Sequence, residues 1–313
     1  MTDHHSRAQS LSFLMKRLRE VGIEPRKKLG QNFLVDLNLQ DMIFRTADIG
    51  PNDVVLEVGT GTGSLTVLMA DAAAAIVTVE LDKQLFELAS EELHTMDNVH
   101  QLQLDALKNK NNFNPAVIEE VAKHLTVDPL RRLKLVANLP YNVAAPVISN
   151  LLSENLLPDD VPPHSMTVTI QKELGDRIVA RPGTSDYGAL SIWVQAQCRA
   201  EIVRVMPPSV FWPRPKVHSA IVHIKNDSLR RSRIPDRTFF HNFVRAMFFH
   251  RRKFLRSVLI SAVKGKLEKP DVDRILDQVG LDPTLRAEQL DVETMLQLSE
   301  AVRGAIGGGA KGD

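Results

Sequence analysis

A glycine-rich segment with the sequence Gly59-Thr60-Gly61-Thr62-Gly63 follows a short apolar run at 53–58 and precedes a helical pattern. Glycines at such a turn let the backbone bend sharply and approach a ligand that a Cβ atom would keep away. The segment by itself suits a nicotinamide, a flavin or S-adenosylmethionine, and in some proteins it only forms a tight turn. It therefore predicts a cofactor loop without identifying the cofactor.

Carboxylates at the ends of neighbouring apolar runs narrow the choice of cofactor. Glu80 ends the next predicted strand, where a carboxylate can accept both hydroxyls of a ribose, and Asp105 ends the strand after it, where it can accept an adenine amino proton. Either acid alone could be a helix N-cap. Glu57, directly before the glycine loop, would repel a pyrophosphate and favour a cationic sulfonium. The set favours S-adenosylmethionine over a dinucleotide.

The fourth predicted strand runs into Asn138-Leu139-Pro140-Tyr141, which suits methylation of an adenine N6. That nitrogen is a poor nucleophile because its lone pair is delocalised into the ring. The side-chain carbonyl of Asn138 and the backbone carbonyl of Leu139 can accept its two protons, while Pro140 locks the turn without offering an N–H. Tyr141 can stack on the base. The alternative is an ordinary strand-to-helix turn with a buried tyrosine.

A second aromatic side chain could complete a sandwich around the base. Phe211 and Trp212 lie in the proline-rich segment at 207–216, which is stiff enough to present a ring rigidly to an unstacked base. Either ring could instead belong to the core.

Positive charge is concentrated in one part of the chain. Residues 226–266 contain eleven Lys and Arg against two Asp, a balance of +9, and because the whole chain is +1 the remainder carries −8. Such segregation can hold a polyanion, although a solvated helix face is the alternative. We expect the contacts to a polyanion such as RNA to come from a cluster at the end of a helix that begins near residue 238, namely Arg251, Arg252, Lys253 and Arg256.

Composition limits the class of protein. The 313 residues are 43% hydrophobic and 25% charged, as in soluble globular proteins, and no apolar run reaches the roughly 20 residues that span a bilayer. The single cysteine, Cys198, can form neither an internal disulfide nor a multi-thiolate metal site. We expect a cytoplasmic monomer with no metal and no membrane association.

Strands alternate with helices from residue 53 to the fourth strand, which predicts a parallel sheet covered on both faces. Further strands are predicted at 166–171, 190–198, 198–205 and 220–225, and helices alone beyond residue 235, at 238–258, 269–279 and 287–302. The fold class is α/β, with a Rossmann-like sheet and a smaller all-α C-terminal domain. The predicted division is a flexible leader at 1–12, a cofactor domain at 13–228, a helical domain at 229–303 and a disordered tail at 304–313.

Eight segments in this order resemble the ribosomal RNA small-subunit adenine N6,N6-dimethyltransferases, whose loss in bacteria confers kasugamycin resistance. They are GQNFL at 30–34, EVGTGTG at 57–63, VELD at 79–82, the aspartate at 105, NLPYN at 138–142, QKELGDRIVARPGTSDYGALS at 171–191, PPSVFWPRPKVHSA at 207–220 and HRRKFLRSVL at 250–259. The resemblance spans residues 26–303. Residues 108–132 form a long polar stretch whose local structure the sequence does not predict, and both tails match nothing in the family pattern.

The resemblance implies a class I S-adenosylmethionine-dependent methyltransferase sheet followed by a small helical domain that binds rRNA. It implies as substrate a pair of adjacent adenines in the 3′-terminal stem-loop of small-subunit (16S) rRNA, dimethylated during late subunit assembly. Phe211 matches the aromatic that stacks across the target base from Tyr141. The implied cofactor contacts are Asn32, Leu34, Gly59 and Gly61 of the glycine loop, Glu80, Asp105 and Asn138.

Three rival functions are compatible with parts of the pattern. A nicotinamide dehydrogenase shares the fold but leaves residues 138–141 and the basic window unexplained. A non-catalytic ribosome-assembly or transcription factor could use the same fold, although the intact Asn138 and Glu80 favour retained catalysis. A large-subunit rRNA adenine methyltransferase is the third, and the segments at 207–216 and 250–259 favour the small-subunit branch.

Overall fold

The computed structural model describes residues 16, 18, 22, 30–153, 157 and 161–309. The predicted leader at 1–12 lies outside the described residues. Within the described part of the chain, no helix has the length and apolar character needed to cross a membrane.

A seven-stranded sheet forms the centre of the cofactor domain, in the order β4-β3-β2-β7-β8-β11-β9. Its five strands from β4 to β8 pair in parallel, and β11 pairs with β8 in the antiparallel sense. The inner strands β2 and β3 are buried along their whole length and are mostly apolar, as expected for a sheet covered on both faces. The strands are β1 Phe33–Leu34, β2 Asp53–Val58, β3 Ala75–Glu80, β4 Val99–Gln103, β5 Leu107–Asn109, β6 Asn112–Phe113, β7 Arg132–Asn138, β8 Ser165–Gln171, β9 Cys198–Met206, β10 Phe211–Trp212 and β11 Ser219–Asn226.

Helices follow most of the parallel strands, and the C-terminal part of the chain is helical as predicted. The α-helices are α1 Leu37–Ala47, α2 Ser64–Ala70, α3 Lys83–Leu93, α4 Pro115–Leu125, α5 Ala144–Leu151, α6 Lys172–Val179, α7 Ala189–Gln195, α8 Ser228–Arg231, α9 Arg237–Met247, α10 Leu255–Ala262, α11 Lys269–Val279 and α12 Val292–Gly309. The unassigned stretch at 108–132 contains the short β5–β6 hairpin and helix α4.

The strand predicted at 190–198 is wrong, because most of that segment belongs to helix α7, which ends at Gln195. Its apolar run is too short to separate a buried strand from a buried helix by periodicity. The Ser191 side chain accepts the N–H of Gly188 at 3.0 Å and so caps the first turn. Trp193 is buried in the helix, and its ring lies 6.3 Å from that of Phe240 on α9.

The helix predicted at 238–258 is two helices, α9 and α10, separated by a turn at 248–254. A continuous helix would use the N–H groups of Leu255 and Arg256 for bonds within the helix, but they donate instead to the carbonyls of Leu285 and Pro283. In the observed turn the N–H of Lys253 donates to the carbonyl of His250 at 2.9 Å. The predicted apolar stripe of α9 is confirmed, since Phe240, Phe243, Val244 and Met247 are all buried.

Contacts between residues divide the chain into two units. One comprises Met1–Gly175 with Glu201–Asn226, and the other comprises Asp176–Ala200 with Asp227–Asp313. The second unit therefore includes α7, which the predicted boundary near 228 assigned to the cofactor domain, because α7 packs on α9. Residues 304–309, predicted as part of a disordered tail, continue helix α12 as far as Gly309. Residues 310–313 lie outside the described residues.

Candidate active site

A cavity opens where β2, β3 and β7 end, within the first unit. Because the carboxyl ends of parallel strands meet at one edge of the sheet, the residues that follow them converge there. The walls include Leu139, Pro140 and Tyr141 together with most of the predicted cofactor contacts, namely Asn32, Gly59, Gly61, Glu80, Asp105 and Asn138. The structure thus brings residues separated by more than a hundred positions into one pocket.

The glycine loop has the backbone that its sequence predicts. Gly59 and Gly61 have φ angles of 91° and 58°, in the left-handed region that favours glycine. A Cβ at Gly59 would stand 3.3 Å from Cδ of Pro140, and one at Gly61 would stand 3.3 Å from the ring of Phe33. The loop therefore lies too close to two pocket walls for larger residues, and its backbone faces the cavity directly.

Glu80 holds the glycine loop as well as facing the pocket. Its Oε2 accepts the N–H of Gly61 at 2.9 Å, and its Oε1 accepts the N–H of Asp82 at 2.9 Å. Burial raises the pKa of Glu80 above its usual value, while the hydrogen bonds from Asp82 and Gly61 lower it. Each carboxylate oxygen keeps a second lone pair, so the side chain can still accept the two hydroxyls of a ribose.

Glu57 does not line the pocket that contains Glu80. Its Oε2 accepts the hydroxyls of Thr66 and Thr78, both at 2.6 Å, and the residue borders a smaller neighbouring recess. Burial raises the pKa of Glu57 to about 7, although the hydrogen bonds from these two hydroxyls lower it. The Glu57 side chain joins β2 to α2 and β3 beneath the loop, and its preference for a cationic sulfonium stays a prediction.

Asn138 is oriented by one hydrogen bond. Its Nδ2 donates to the backbone carbonyl of Asn32 at 2.9 Å, which leaves the side-chain oxygen as the group that can accept protons from a ligand. The N–H of Leu139 donates to the carbonyl of Thr169 at 3.1 Å and anchors the same turn to β8. The turn is therefore fixed on both sides of the predicted reaction centre.

Tyr141 lies on the pocket wall with its hydroxyl 2.6 Å from Oγ of Ser219. Burial raises the pKa of Tyr141, although the hydrogen bond to Ser219 acts in the opposite direction. The phenol therefore stays protonated at neutral pH, and the bond holds the ring while part of it remains accessible.

Phe211 is not the second pocket aromatic in this structure. It is 3% exposed and packs in the core, because β10 pairs with β1 and places Phe211 opposite Leu34. Leu34 is itself a core residue that borders only the smaller recess. Trp212 stacks on Phe33, with ring centroids 6.3 Å apart.

Two pocket residues escaped the sequence reasoning. Leu81 is 48% exposed directly after Glu80, and Phe33 lies beside the glycine loop. An apolar residue that remains exposed after a strand-end acid signals a ligand-facing position, but burial cannot be read from the sequence.

Asp105 lies two residues beyond the end of β4 rather than at its end, and its Oδ1 accepts the N–H of Leu107 at 2.9 Å.

The predicted cationic cluster belongs to the second unit, but not to the end of α9. Arg251, Arg252 and Lys253 lie in the turn after α9, and Arg256 lies in the first turn of α10. Nε of Arg251 is 2.5 Å from Oε2 of Glu288, and Arg256 makes a bidentate pair with Asp273 at 2.6 and 2.8 Å. Arg252 and Lys253 are exposed, and among the residues that the structure describes their side chains have no carboxylate partner.

Comparisons with known proteins agree with the geometry. The family model for ribosomal RNA adenine dimethylases matches residues 22–302. A protein from Clostridium acetobutylicum called ribosomal RNA small subunit methyltransferase A is 38% identical over 277 residues, covering 88% of this chain and 93% of that protein. One of the same name from Lactiplantibacillus plantarum is 40% identical over 285 residues, covering 91% and 92%.

Two solved structures share the fold. A dimethyladenosine transferase from Plasmodium falciparum superimposes with a TM-score of 0.66 at 24% identity, covering 84% of this chain and 94% of that one. The 23S rRNA methyltransferase ErmE superimposes with a TM-score of 0.57 at 21% identity, covering 87% and 99%. The Rossmann-like α/β fold class is thereby confirmed.

The raised pKa of Glu57 predicts a pH-dependent stability. The folded state holds a proton that the unfolded state releases, between the ordinary glutamate pKa of 4.5 and the raised pKa of about 7. The free energy of unfolding of the wild type should therefore fall as pH rises through that window, by at most about 3 kcal/mol. Glu57→Gln, which is neutral throughout, should lack this decline. Urea unfolding at several pH values would measure it, with the exposed Glu87→Gln as a matched control. Equal slopes in wild type and Glu57→Gln would show that Glu57 titrates normally.

Proposed function

The chain belongs to the ribosomal RNA adenine dimethylase family, and from that premise we propose that it dimethylates the N6 amino groups of two adjacent adenines in the 3′-terminal stem-loop of small-subunit (16S) rRNA. S-adenosyl-L-methionine is the methyl donor, and the substrate is the rRNA within the assembling small subunit. The observation that carries this proposal is the orientation of the Asn138 amide at the end of β7.

The pocket residues fit the cofactor. Gly59 and Gly61 pass close to Pro140 and Phe33 and still line the pocket, so a ligand can lie against the backbone of the loop. We assign the ribose hydroxyls to Glu80 and the adenine amino group to Asp105, with Asn32 beside Asn138 on the pocket wall. When bound, S-adenosylmethionine supplies an electrophilic methyl group. Leu34 supports this site from the core rather than by contact.

The reaction requires the target amine to be held with its lone pair directed at the methyl group. Oδ1 of Asn138 accepts one N6 proton and the carbonyl of Leu139 accepts the other, which draws the lone pair out of conjugation. Pro140 fixes the turn that carries both acceptors. A strong general base is unnecessary, because the N6 proton becomes acidic as the nitrogen is alkylated and can leave to solvent.

Base stacking is assigned to Tyr141, whose ring borders the pocket and whose hydroxyl is tied to Ser219. The exposed side chain of Leu81, beside Glu80, offers an apolar surface for the cofactor adenine. Both contacts use flat or apolar surface, so they hold a ring without reading its edge.

The alternatives account for less. A dehydrogenase would leave the Asn138 acceptor without a purpose, and a non-catalytic assembly factor would not need it. Relatives 38–40% identical are named small subunit methyltransferases, whereas ErmE, at 21% identity, shares only the fold. We propose that the chain acts as a monomer in the cytoplasm, where small subunits are assembled.

We propose that the turn after α9 contacts the rRNA backbone. Arg252 and Lys253 are its exposed cations, and phosphate contacts by such side chains add affinity without reading sequence. Arg251 and Arg256 are engaged by Glu288 and Asp273. These two arginines hold the turn in place and reach phosphates only if their ion pairs open.

Asn138→Ala should lower the single-turnover rate of rRNA methylation by about 100-fold or more, because positioning acts in the transition state. Affinity for S-adenosylmethionine, measured by calorimetry, should change much less. Asn111→Ala, in the exposed β5–β6 hairpin, is the matched control. A rate close to that of the wild type in Asn138→Ala would refute the proposed mechanism.

Arg252→Ala/Lys253→Ala should weaken binding to small subunits and flatten its salt dependence by up to about two units of log–log slope, one for each lost phosphate contact. Cofactor affinity should not change. The matched control is Lys264→Ala/Lys266→Ala, which removes two exposed cations from the same charged window. An unaltered slope in the first variant would mean that RNA is held elsewhere, for example by Arg26–Lys28, which lie outside the described residues.

A further inference from the structure

Two histidines and a glutamate meet on the first unit, away from the pocket walls. His100 lies on the edge strand β4, whereas Glu120 and His124 lie one turn apart on α4. Nε2 of His124 is 2.9 Å from Oε1 of Glu120, and Nδ1 of His100 is 3.9 Å from the same oxygen. Among the described residues, this is the group of three such side chains whose ligand atoms all lie within 4.8 Å of one another.

The separations suit a single tetrahedral ion. Zn²⁺ binds imidazole nitrogens and carboxylate oxygens at about 2.0–2.2 Å, so donor atoms on one ion stand about 3.3 Å apart. The observed 2.9 and 3.9 Å lie on either side of that value. The two imidazole rings stack with centroids 4.0 Å apart and 24° between their planes, and a nitrogen of each ring lies near the same carboxylate. An imidazole nitrogen binds a metal in the plane of its own ring, so one of the two rings must turn out of the stack for the three donors to reach a common centre.

The three side chains are mostly buried but remain partly exposed to solvent. The His124 side chain is 11% exposed, that of Glu120 22% and that of His100 31%. An ion could therefore enter from solvent and keep water as a fourth ligand. The absence of cysteine pairs excludes thiolate zinc sites, but it does not bear on a site built from imidazole and carboxylate.

We propose that His100, Glu120 and His124 bind one zinc ion, which joins the edge strand β4 to helix α4. The ion would stabilise the folded chain, because the three ligands come from two elements that are separated in the unfolded state. This inference does not depend on the methyltransferase function.

Removing the Lys123 ammonium should change zinc affinity in the opposite direction to removing a ligand. Its ammonium lies 3.2 Å from Oε1 of Glu120 and its side chain is 66% exposed. It therefore competes with a dication for the same carboxylate oxygen. Lys123→Ala should tighten zinc binding, whereas a cluster that only forms hydrogen bonds predicts no gain.

The experiment titrates the full chain with Zn²⁺ against a chromophoric chelator, in a His4→Ala/His5→Ala background because those two N-terminal histidines could also bind metal. We expect one ion per chain, with affinity at least tenfold weaker in His100→Ala, His124→Ala and Glu120→Gln, and unchanged in His94→Ala, an exposed histidine at the end of α3. The thermal midpoint of the parent chain should rise with Zn²⁺, and that of His100→Ala should not.

A second measurement uses the chain with its three ligands intact, so its result does not depend on whether a ligand variant folds. Co²⁺ added to the otherwise unaltered chain of the same background should give the visible bands of a four-coordinate site, and Zn²⁺ should abolish them. Binding below one ion per chain, a six-coordinate Co²⁺ spectrum, or affinity that survives in both His100→Ala and His124→Ala would overturn the proposal.

Discussion

The hydrogen bond from Asn138 Nδ2 to the carbonyl of Asn32 is the constraint on which the reaction centre depends. An amide side chain can present either a donor or an acceptor, and a target amine with two protons can be held only by acceptors. By occupying the NH₂ group, the Asn32 carbonyl leaves the oxygen for the ligand. The segment before β1 and the end of β7 therefore act together, although 106 positions separate them.

The sheet places the remaining groups around this acceptor. The carboxyl ends of parallel strands meet at one edge of the sheet, so Glu80 at the end of β3 and Asn138 at the end of β7 both lie there. No long loop is needed to bring them together. Gly59 and Gly61 then allow the loop after β2 to pass close to Pro140 and Phe33. Glu80 fixes that loop through the Gly61 N–H, so cofactor binding and loop geometry depend on the same carboxylate.

Local signals allowed the sequence to predict Gly59, Glu80 and Asn138, because each lies at the end of an apolar strand or directly after it. Features that arise from long-range packing could not be predicted in this way. Phe211 is buried because β10 pairs with β1, and Arg251 is paired because Glu288 happens to lie beside it. Residues 190–198 formed a helix rather than a strand because contact with α9, not periodicity, decides the outcome. These outcomes depend on which distant segments pack together, and local sequence patterns do not show that.

The most direct test is mass spectrometry of small-subunit rRNA from cells that lack the gene for this chain, with the wild type or Asn138→Ala reintroduced. We predict that two adjacent N6,N6-dimethyladenines in the 3′-terminal stem-loop disappear without the gene and return with the wild type but not with Asn138→Ala. Dimethyladenines that persist without the gene, or a change confined to large-subunit rRNA, would contradict the assigned substrate. Full restoration by Asn138→Ala would contradict the central role of the oriented amide.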